Sequence, residues 1–203
     1  MATADFEARQ LLKAYRKGLI SDALFEEQMR ELSTAGNGGG YCYNGKMHAT
    51  EREMIMHVLD ELRCAESFAA EYLNCWVQVS DQECVKGGLR MVQQREAFHG
   101  QVLEARLREL GGVPQCTVPA ERRDKEVPFY ASTEKKDLDK LQSIASRINK
   151  EPAVLFKPIN DVIAQIKDDQ HSKELLRSFV DDEISSTKWL LGACETLSAA
   201  RPA

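Results

Sequence analysis

Two features that the sequence lacks narrow what the protein can do: a surplus of positive charge and a long apolar run. Its 27 lysines and arginines are outnumbered by 32 aspartates and glutamates, which leaves a formal net charge of −5. A surface with that balance does not neutralise the phosphates of DNA or RNA. No window approaches the roughly 18 uninterrupted apolar residues of a membrane-spanning helix. We therefore expect neither a nucleic-acid partner nor a membrane partner.

The first residues also lack the basic start and apolar core of an export signal, and the six cysteines form no C-x-x-C pair. Such a pair is the usual sign of a zinc site or a redox motif. We therefore expect a cytoplasmic protein whose cysteines are free thiols in a reducing environment. The six are Cys42, Cys64, Cys75, Cys84, Cys116 and Cys194.

Two short helical segments are predicted near the start, over residues 6–17 and 22–32. Gly18 is suited to end the first, because glycine enters the left-handed region without a Cβ clash. Ser21 is suited to N-cap the second. This part of the chain, residues 1–34, resembles the helical-hairpin module known as SHOCT, which implies an accessory role in self-association or docking. The resemblance rests on Gly18-Leu19-Ile20-Ser21-Asp22, Phe25-Glu26, Met29 and Leu32.

Residues 35–49 are rich in glycine and show no periodicity, which is typical of a flexible linker. A phosphate-binding glycine loop is the alternative. It needs a preceding strand and a closing Lys-Ser or Lys-Thr, and the sequence has neither. No segment of the chain alternates apolar and polar residues in the manner of a strand, so we predict no β-structure.

Two long helices are predicted next, over about residues 51–79 and 81–110. Each would be about 45 Å long at 1.5 Å per residue, and a Gly-Gly-Val-Pro stretch ends the second. Helices of equal length with almost no connector pack antiparallel. The start of each helix carries a pair of residues at capping-box spacing. The pairs are Thr50 with Glu53 and Ser80 with Glu83.

The remainder of the chain begins with residues 113–132, which lack a helical stripe and are predicted to form a long connection. Helical periodicity returns over residues 138–166, where Pro152 and Pro158 should kink or break the helix. A last helix is predicted over about residues 169–197. The order predicts an all-α protein: the short N-terminal helical hairpin, then an antiparallel four-helix bundle over residues 50–203, with a long crossover between its second and third helices.

Polar residues occupy core positions on three of these helices. On the second long helix the apolar stripe, at steps of three and four residues, runs through Glu96 and His99. These two lie one turn apart on the same face. The first long helix has Glu66 on its stripe and the last helix has Glu183. Because Glu66 and Glu96 are both near the middle of antiparallel helices, we expect them to meet.

Carboxylates that converge in an apolar interior need a compensating charge, since each costs several kcal/mol if it is ionised and unpaired. No arginine or lysine falls on these stripes close to the glutamates. A hard cation with oxygen ligands and one imidazole resolves the charge problem. Iron or manganese fits this set better than zinc, which favours more nitrogen and sulfur. The predicted metal ligands are Glu66, Glu96, His99 and Glu183.

The same residues resemble those of ferritin-like and rubrerythrin-like proteins. Glu96-x-x-His99 with Leu103 and an Arg-Glu-Leu-Gly-Gly helix end is similar to their ligand helix. Glu66, within Cys-Ala-Glu-Ser-Phe-Ala-Ala-Glu-Tyr-Leu, is similar to the single glutamate of their first helix. The resemblance implies a non-haem iron site that reacts with oxygen or peroxide, in iron oxidation and storage or in peroxide scavenging. Glu66 and Glu183 would be terminal carboxylates, Glu96 bridging or chelating, and His99 the nitrogen ligand.

The sequence departs from that family in two places. The last helix has Ser186 where a second histidine would follow Glu183, and serine is a poor iron ligand. The third helix has no glutamate on its apolar stripe. Glu151 is in roughly the right region, but it directly precedes Pro152, and a residue before proline is disfavoured in a helix. The sequence is therefore compatible with a site for one metal ion and with a site for two.

An alternative is a metal-free, degenerate bundle that serves as an assembly or docking module. Glu96, His99 and Ser186 would then form a buried hydrogen-bond network, and Glu183 would belong to a solvated acidic turn. Tyr72, two turns from Glu66, is a redox candidate for which core packing is the preferred interpretation. A homodimer is the default assembly for a long bundle.

Overall fold

A computed structural model of the chain describes residues 11–35, 40–148 and 151–200. The described part of the chain is predominantly helical, with only two three-residue strands, as predicted for an all-α protein. Two compact units are present, Met1–Met54 and Ile55–Ala203. No helix in the described ranges is long and apolar enough to cross a membrane.

The first unit contains a helical pair. Residues 11–16 are helical (α1), and α2 spans Asp22–Ala35. Gly18 has φ +67°, and Ser21 Oγ accepts a hydrogen bond from Leu24 N–H at 3.3 Å, so the predicted helix stop and N-cap are confirmed. The rings of Tyr15 and Phe25 stack with centroids 4.3 Å apart. The resemblance to SHOCT stays a prediction.

The glycine-rich segment contains a small β-hairpin, so the expectation of no β-structure was wrong. Strand β1 (Tyr41–Tyr43) pairs antiparallel with β2 (Lys46–His48). The turn between them has positive φ at both Asn44 (48°) and Gly45 (76°). Asn-Gly is the preferred dipeptide for a two-residue hairpin turn of this kind. The strands escaped prediction because three residues are too few to show alternation.

The two long helices lie close to their predicted positions. They are α3 (Glu51–Val79) and α4 (Glu83–Glu109). The capping box at the start of α3 is confirmed by Glu53 N–H to Thr50 Oγ1 at 3.2 Å and Thr50 N–H to Glu53 Oε2 at 3.3 Å. The second capping box was wrong. Gln82 is the N-cap of α4, and the Ser80 hydroxyl instead donates to Asp137 Oδ2 at 2.8 Å.

The connection after α4 is partly helical, which corrects the expectation for residues 113–132. Helix α5 (Ala120–Ala131) begins after Pro119 and contains Pro128. It is followed by α6 (Asp137–Arg147), α7 (Pro152–Leu155), α8 (Lys157–Gln165) and α9 (Gln170–Ala199). The predicted interruptions are confirmed, because Pro152 starts α7 and Pro158 lies in the first turn of α8.

The core of the second unit draws apolar side chains from several helices. Its buried members are Leu73, Trp76, Val77, Val85, Leu89, Val92, Tyr130, Leu141, Ile144 and Cys194. Asp137 and Lys140 are buried beside them and are satisfied locally. Trp76 Nε1–H donates to Asp137 Oδ1 at 2.7 Å, and Lys140 Nζ donates to the Tyr130 carbonyl at 2.8 Å. Helix α9 packs against α4, α6 and α8.

Two adjacent glycines of α4 test this packing. A Cβ at Gly88 would lie 1.9 Å from Trp189 Cζ2 of α9, whereas a Cβ at Gly87 would meet nothing within 4 Å. We expect Gly88→Ala to lower the free energy of unfolding by about 1–3 kcal/mol, because the rigid indole must shift. Gly87→Ala should raise it by up to about 1 kcal/mol through helix propensity. Urea titration followed by circular dichroism measures both, and changes of equal sign would contradict the packing.

Candidate metal centre

The structure brings together the four residues predicted as metal ligands. Glu66 lies on α3, Glu96 and His99 on α4, and Glu183 on α9. Each offers one ligand atom, and these atoms all lie within 4.8 Å of one another. The exposed fractions are 6% for Glu66, 5% for Glu96 and 3% for His99, and the Glu183 side chain is 14% exposed. The residues form a buried cluster that could hold a metal ion.

Local sequence explains how the helices converge on this point. Glu96 and His99 are one turn apart, so both face inward from α4. Gly100 follows them, and a Cβ there would lie 2.8 Å from Ser67 Oγ on α3, so glycine allows α3 and α4 to approach closely beside the cluster. The start of α9 is fixed by Arg106 of α4, whose Nη2 donates to both carboxylate oxygens of Asp169 at 2.8 Å.

The side-chain atoms that face one another in the cluster lack hydrogen-bond partners. His99 Nδ1 lies 3.4 Å from Glu66 Oε2 and 3.3 Å from Glu183 Oε1. All three atoms are inaccessible to water, and none makes a hydrogen bond. Buried polar atoms are nearly always satisfied in folded proteins, so these three atoms need a shared proton or a cation between them. Because they are two oxygens and a ring nitrogen, they match the donor atoms of a metal site.

The other ring nitrogen of His99 has a partner that the sequence did not reveal. His99 Nε2 lies 3.2 Å from Asp182 Oδ2. In the tautomer with the proton on Nε2, this nitrogen donates to the carboxylate, and the Nδ1 lone pair then faces the glutamates. Metal-binding histidines are typically oriented in this way by a carboxylate. The sequence indicated no role for Asp182 in the site, and only the placement of α9 beside α4 shows its contact with His99.

Burial dominates the electrostatics of the cluster. It raises the pKa of Glu66 and of Glu96, and the negative charge of Glu183 raises both further. The carboxyls of Glu66 and Glu96 lie within hydrogen-bonding distance of each other. Burial alone would lower the pKa of His99, but its contacts with Glu183, Asp182 and Glu96 raise it overall. In the absence of a cation, the cluster therefore retains protons that isolated glutamates would lose.

Ser186 is not part of the cluster, although it is buried. Its hydroxyl accepts a hydrogen bond at 3.0 Å from Nη1 of Arg95, which also donates to the Asp182 carbonyl at 3.1 Å. Within the described part of the chain, neither lysine nor arginine forms an ion pair with Glu66, Glu96 or Glu183. Their negative charge is thus not offset by a basic side chain, as the sequence predicted.

The other residues considered from the sequence lie apart from the ligand set. Glu151 is exposed. Tyr72 stacks on Tyr130 with ring centroids 4.6 Å apart and meets the edge of Phe68 at 5.4 Å. These contacts favour the packing role for Tyr72.

The cluster is close to the dimensions that one ion requires. Metal–oxygen bonds of about 2.0–2.2 Å place two ligand atoms of one ion at most about 4.4 Å apart. The four ligand atoms lie within 4.8 Å of one another, so side-chain shifts of a few tenths of an ångström suffice. Three carboxylates and one imidazole suit a hard divalent or trivalent cation. Comparison with family models, curated proteins and solved structures finds no match for this chain.

Proposed function

We propose that the chain is a non-haem iron protein that reacts with oxygen or peroxide, either to oxidise and store iron or to scavenge peroxide. The ligands are Glu66, Glu96, His99 and Glu183, and manganese is the alternative metal. The observation that carries the proposal is the contact among Glu66 Oε2, His99 Nδ1 and Glu183 Oε1, all buried and without hydrogen bonds.

Energetics favour a cation over an empty cluster. Each unsatisfied buried polar atom costs about 1–3 kcal/mol, and more if it is charged. A single positive ion contacts all three atoms and also neutralises the carboxylates, whereas a hydrogen bond satisfies only two. The oxygen-rich donor set favours iron or manganese over zinc.

The chain's own residues set the conditions of the proposed reaction. Iron supplies one-electron chemistry toward oxygen or peroxide. The three glutamates provide charge that favours its oxidised state, and Asp182 orients His99 so that Nδ1 faces them. The apolar residues that precede and follow the ligands on each helix keep bulk water out, and the partly exposed Glu183 lies nearest to solvent.

The helices that carry the ligands fit a ferritin-like bundle. Gly100 of α4 lies against Ser67 of α3, and Glu96 lies beside Glu66, so the middles of these helices meet as they do in an antiparallel pair. Helix α9 packs on α4. We infer that α3, α4, the α6–α8 segment and α9 form the four antiparallel members, with residues 110–136 as the crossover. A homodimer remains the default assembly.

A second candidate is the metal-free assembly module, and one observation favours it. A single proton shared between Glu66 and Glu96 would remove part of the buried negative charge without any cation. A second proton on His99 Nδ1 would then pair this nitrogen with Glu183 Oε1, which lies 3.3 Å away. Metal content separates the two candidates.

Protein purified from iron-supplemented cells should hold about one iron per chain, measured by plasma mass spectrometry. Glu96→Ala combined with His99→Ala should reduce iron to background. The matched control is His171→Ala with Glu174→Ala, an exposed histidine and glutamate one turn apart on α9, which should keep the wild-type content. Equal, near-zero iron in wild type and in both variants would leave only the metal-free candidate.

Replacement of Asp182 should weaken the site without removing a ligand. We expect Asp182→Ala to raise the dissociation constant for ferrous iron by about 10–100-fold, because His99 loses the carboxylate that orients it. Asp181→Ala is the control, since Asp181 is the exposed neighbour in the same helical turn. Anaerobic titration against a competing chelator measures both. An unchanged affinity in Asp182→Ala would contradict the assigned orientation of His99.

A further inference from the structure

The segment that follows α4 is held against α3 by Asp60 and Arg63. Asp60 Oδ2 accepts the backbone N–H groups of Gln115 at 2.9 Å and Cys116 at 2.7 Å. Arg63 Nη2 donates to the Cys116 carbonyl at 2.7 Å, and its Nε donates to Asp60 Oδ1 at 2.9 Å. Both backbone polar groups of Cys116 are thus bonded to one turn of α3.

This attachment places two thiols together. Cys64 directly follows Arg63, so its thiol lies close enough to Cys116 to raise the pKa of the Cys116 thiol. Cys64 is buried, with 7% exposed, and Cys116 is partly exposed. Both are free thiols in the structure. The metal cluster uses neither of them.

We propose that Cys64 and Cys116 form an oxidation site, at which hydrogen peroxide or an organic hydroperoxide converts the two thiols into a reversible disulfide. The backbone of Cys116 is already held against the turn of α3 that precedes Cys64, which raises the effective concentration of each thiol at the other. If the two thiols served only to pack the segment against α3, they would stay reduced in the presence of peroxide.

The reaction proceeds in two balanced steps. The partly exposed Cys116 sulfur attacks the terminal peroxide oxygen: an S–O bond forms and the O–O bond breaks. The departing hydroxide, or the alkoxide of an organic hydroperoxide, takes the thiol proton and leaves as water or as the alcohol. The Cys64 sulfur then attacks the Cys116 sulfur: the S–S bond forms, the S–O bond breaks, and a water molecule leaves with the Cys64 proton. The two sulfurs lose two electrons, and the peroxide gains them.

The groups around Cys116 determine the rate at which its sulfur attacks peroxide. Burial raises the pKa of Cys116 to about 11, and Cys64, Asp60 and Glu61 add to the effect. Because the thiolate is the nucleophile, a raised pKa slows attack at neutral pH.

Peptide mapping after peroxide treatment tests the assignment. The reduced full-length protein is exposed to hydrogen peroxide, alkylated and digested without reductant. We expect a linked peptide pair that contains Cys64 and Cys116 and has lost two hydrogens, while Cys42 and Cys84 remain free of a bond to either. The disulfide should raise the midpoint of thermal unfolding by about 5–10 °C, because it closes a long loop of the unfolded chain. If Cys64 is still alkylated when Cys116 has been oxidised, the proposal is overturned.

Two variants test whether the hold on the segment, and not only the reactivity of Cys116 toward peroxide, leads to the disulfide. In Cys64→Ser, the sulfenic acid on Cys116 should persist and be trapped by dimedone. In Asp60→Ala, which frees the segment, disulfide should form about tenfold less efficiently relative to dimedone-trapped product, because the effective concentration of Cys64 falls. An unchanged ratio would show that the hold on Cys116 plays no part. The variant with Glu96→Ala and His99→Ala should form the disulfide as wild type does, so failure of the iron proposal leaves this result unaffected.

Discussion

Addition of ferrous iron to the metal-free protein under anaerobic conditions should raise its midpoint of thermal unfolding by about 10 °C. A ligand that binds only the native state at 1,000 times its dissociation constant adds about 4 kcal/mol, and each kcal/mol shifts the midpoint of a domain of this size by about 2–4 °C. The physical source is that the cation displaces the retained protons and satisfies buried ligand atoms that lack hydrogen bonds. Differential scanning calorimetry measures the shift.

Variants define where the added stability originates. The variant with Glu96→Ala and His99→Ala should show no shift with iron, whereas His171→Ala with Glu174→Ala should show the full one. A strong chelator should reverse the effect in wild type. Equal shifts in all three proteins would mean that iron acts at the acidic surface, and the buried cluster would lose its assigned role.

The metal-free protein should become more stable when Glu96 is replaced by glutamine. We expect Glu96→Gln to raise the free energy of unfolding by about 2–4 kcal/mol at pH 8, even though it weakens metal binding. Burial raises the pKa of Glu96 in the folded state above its unfolded value. The folded state therefore keeps a proton that the unfolded state releases above about pH 4. Wild-type stability thus falls as pH rises through neutrality.

The pH dependence distinguishes this origin from a general effect of the substitution. Between pH 5 and pH 8, both of which lie above the unfolded pKa of about 4.3, the gap between Glu96→Gln and the metal-free wild type should widen. Glu174→Gln, at an exposed position of α9, should track the wild type at both pH values. Guanidinium titrations at each pH give the free energies. A gap that narrows with pH would show that Glu96 is ionised in the native state at little cost.

The buried cluster was predictable from the sequence because the apolar periodicity of each helix continues across its members. On α4 the apolar positions before and after Glu96 and His99 fix the helical register, so these residues must face inward whatever their polarity. Glu66 and Glu183 follow from the same argument on α3 and α9. Buried carboxylates are rare, so three of them at corresponding positions along packed helices indicate that they share a partner.

What the sequence did not reveal depends on contacts between distant segments or on very short elements. Asp182 faces His99 only once α9 lies beside α4, and no local pattern separates it from its exposed neighbour Asp181. Ser80 has ideal capping-box spacing, yet its hydroxyl bonds to Asp137 in a contact across 57 positions. Helix α5 was missed because its proline lies inside the helix, where prolines usually signal interruption.

Anomalous X-ray scattering at the iron edge, from crystals of the iron-loaded protein, tests the central claim most directly. The account predicts a strong peak within about 2.0–2.3 Å of His99 Nδ1 and of at least one oxygen from each of Glu66, Glu96 and Glu183. The same crystals of the variant with Glu96→Ala and His99→Ala should lack it. A wild-type map with no peak among these four side chains, or with iron bound only to exposed carboxylates, would contradict the account.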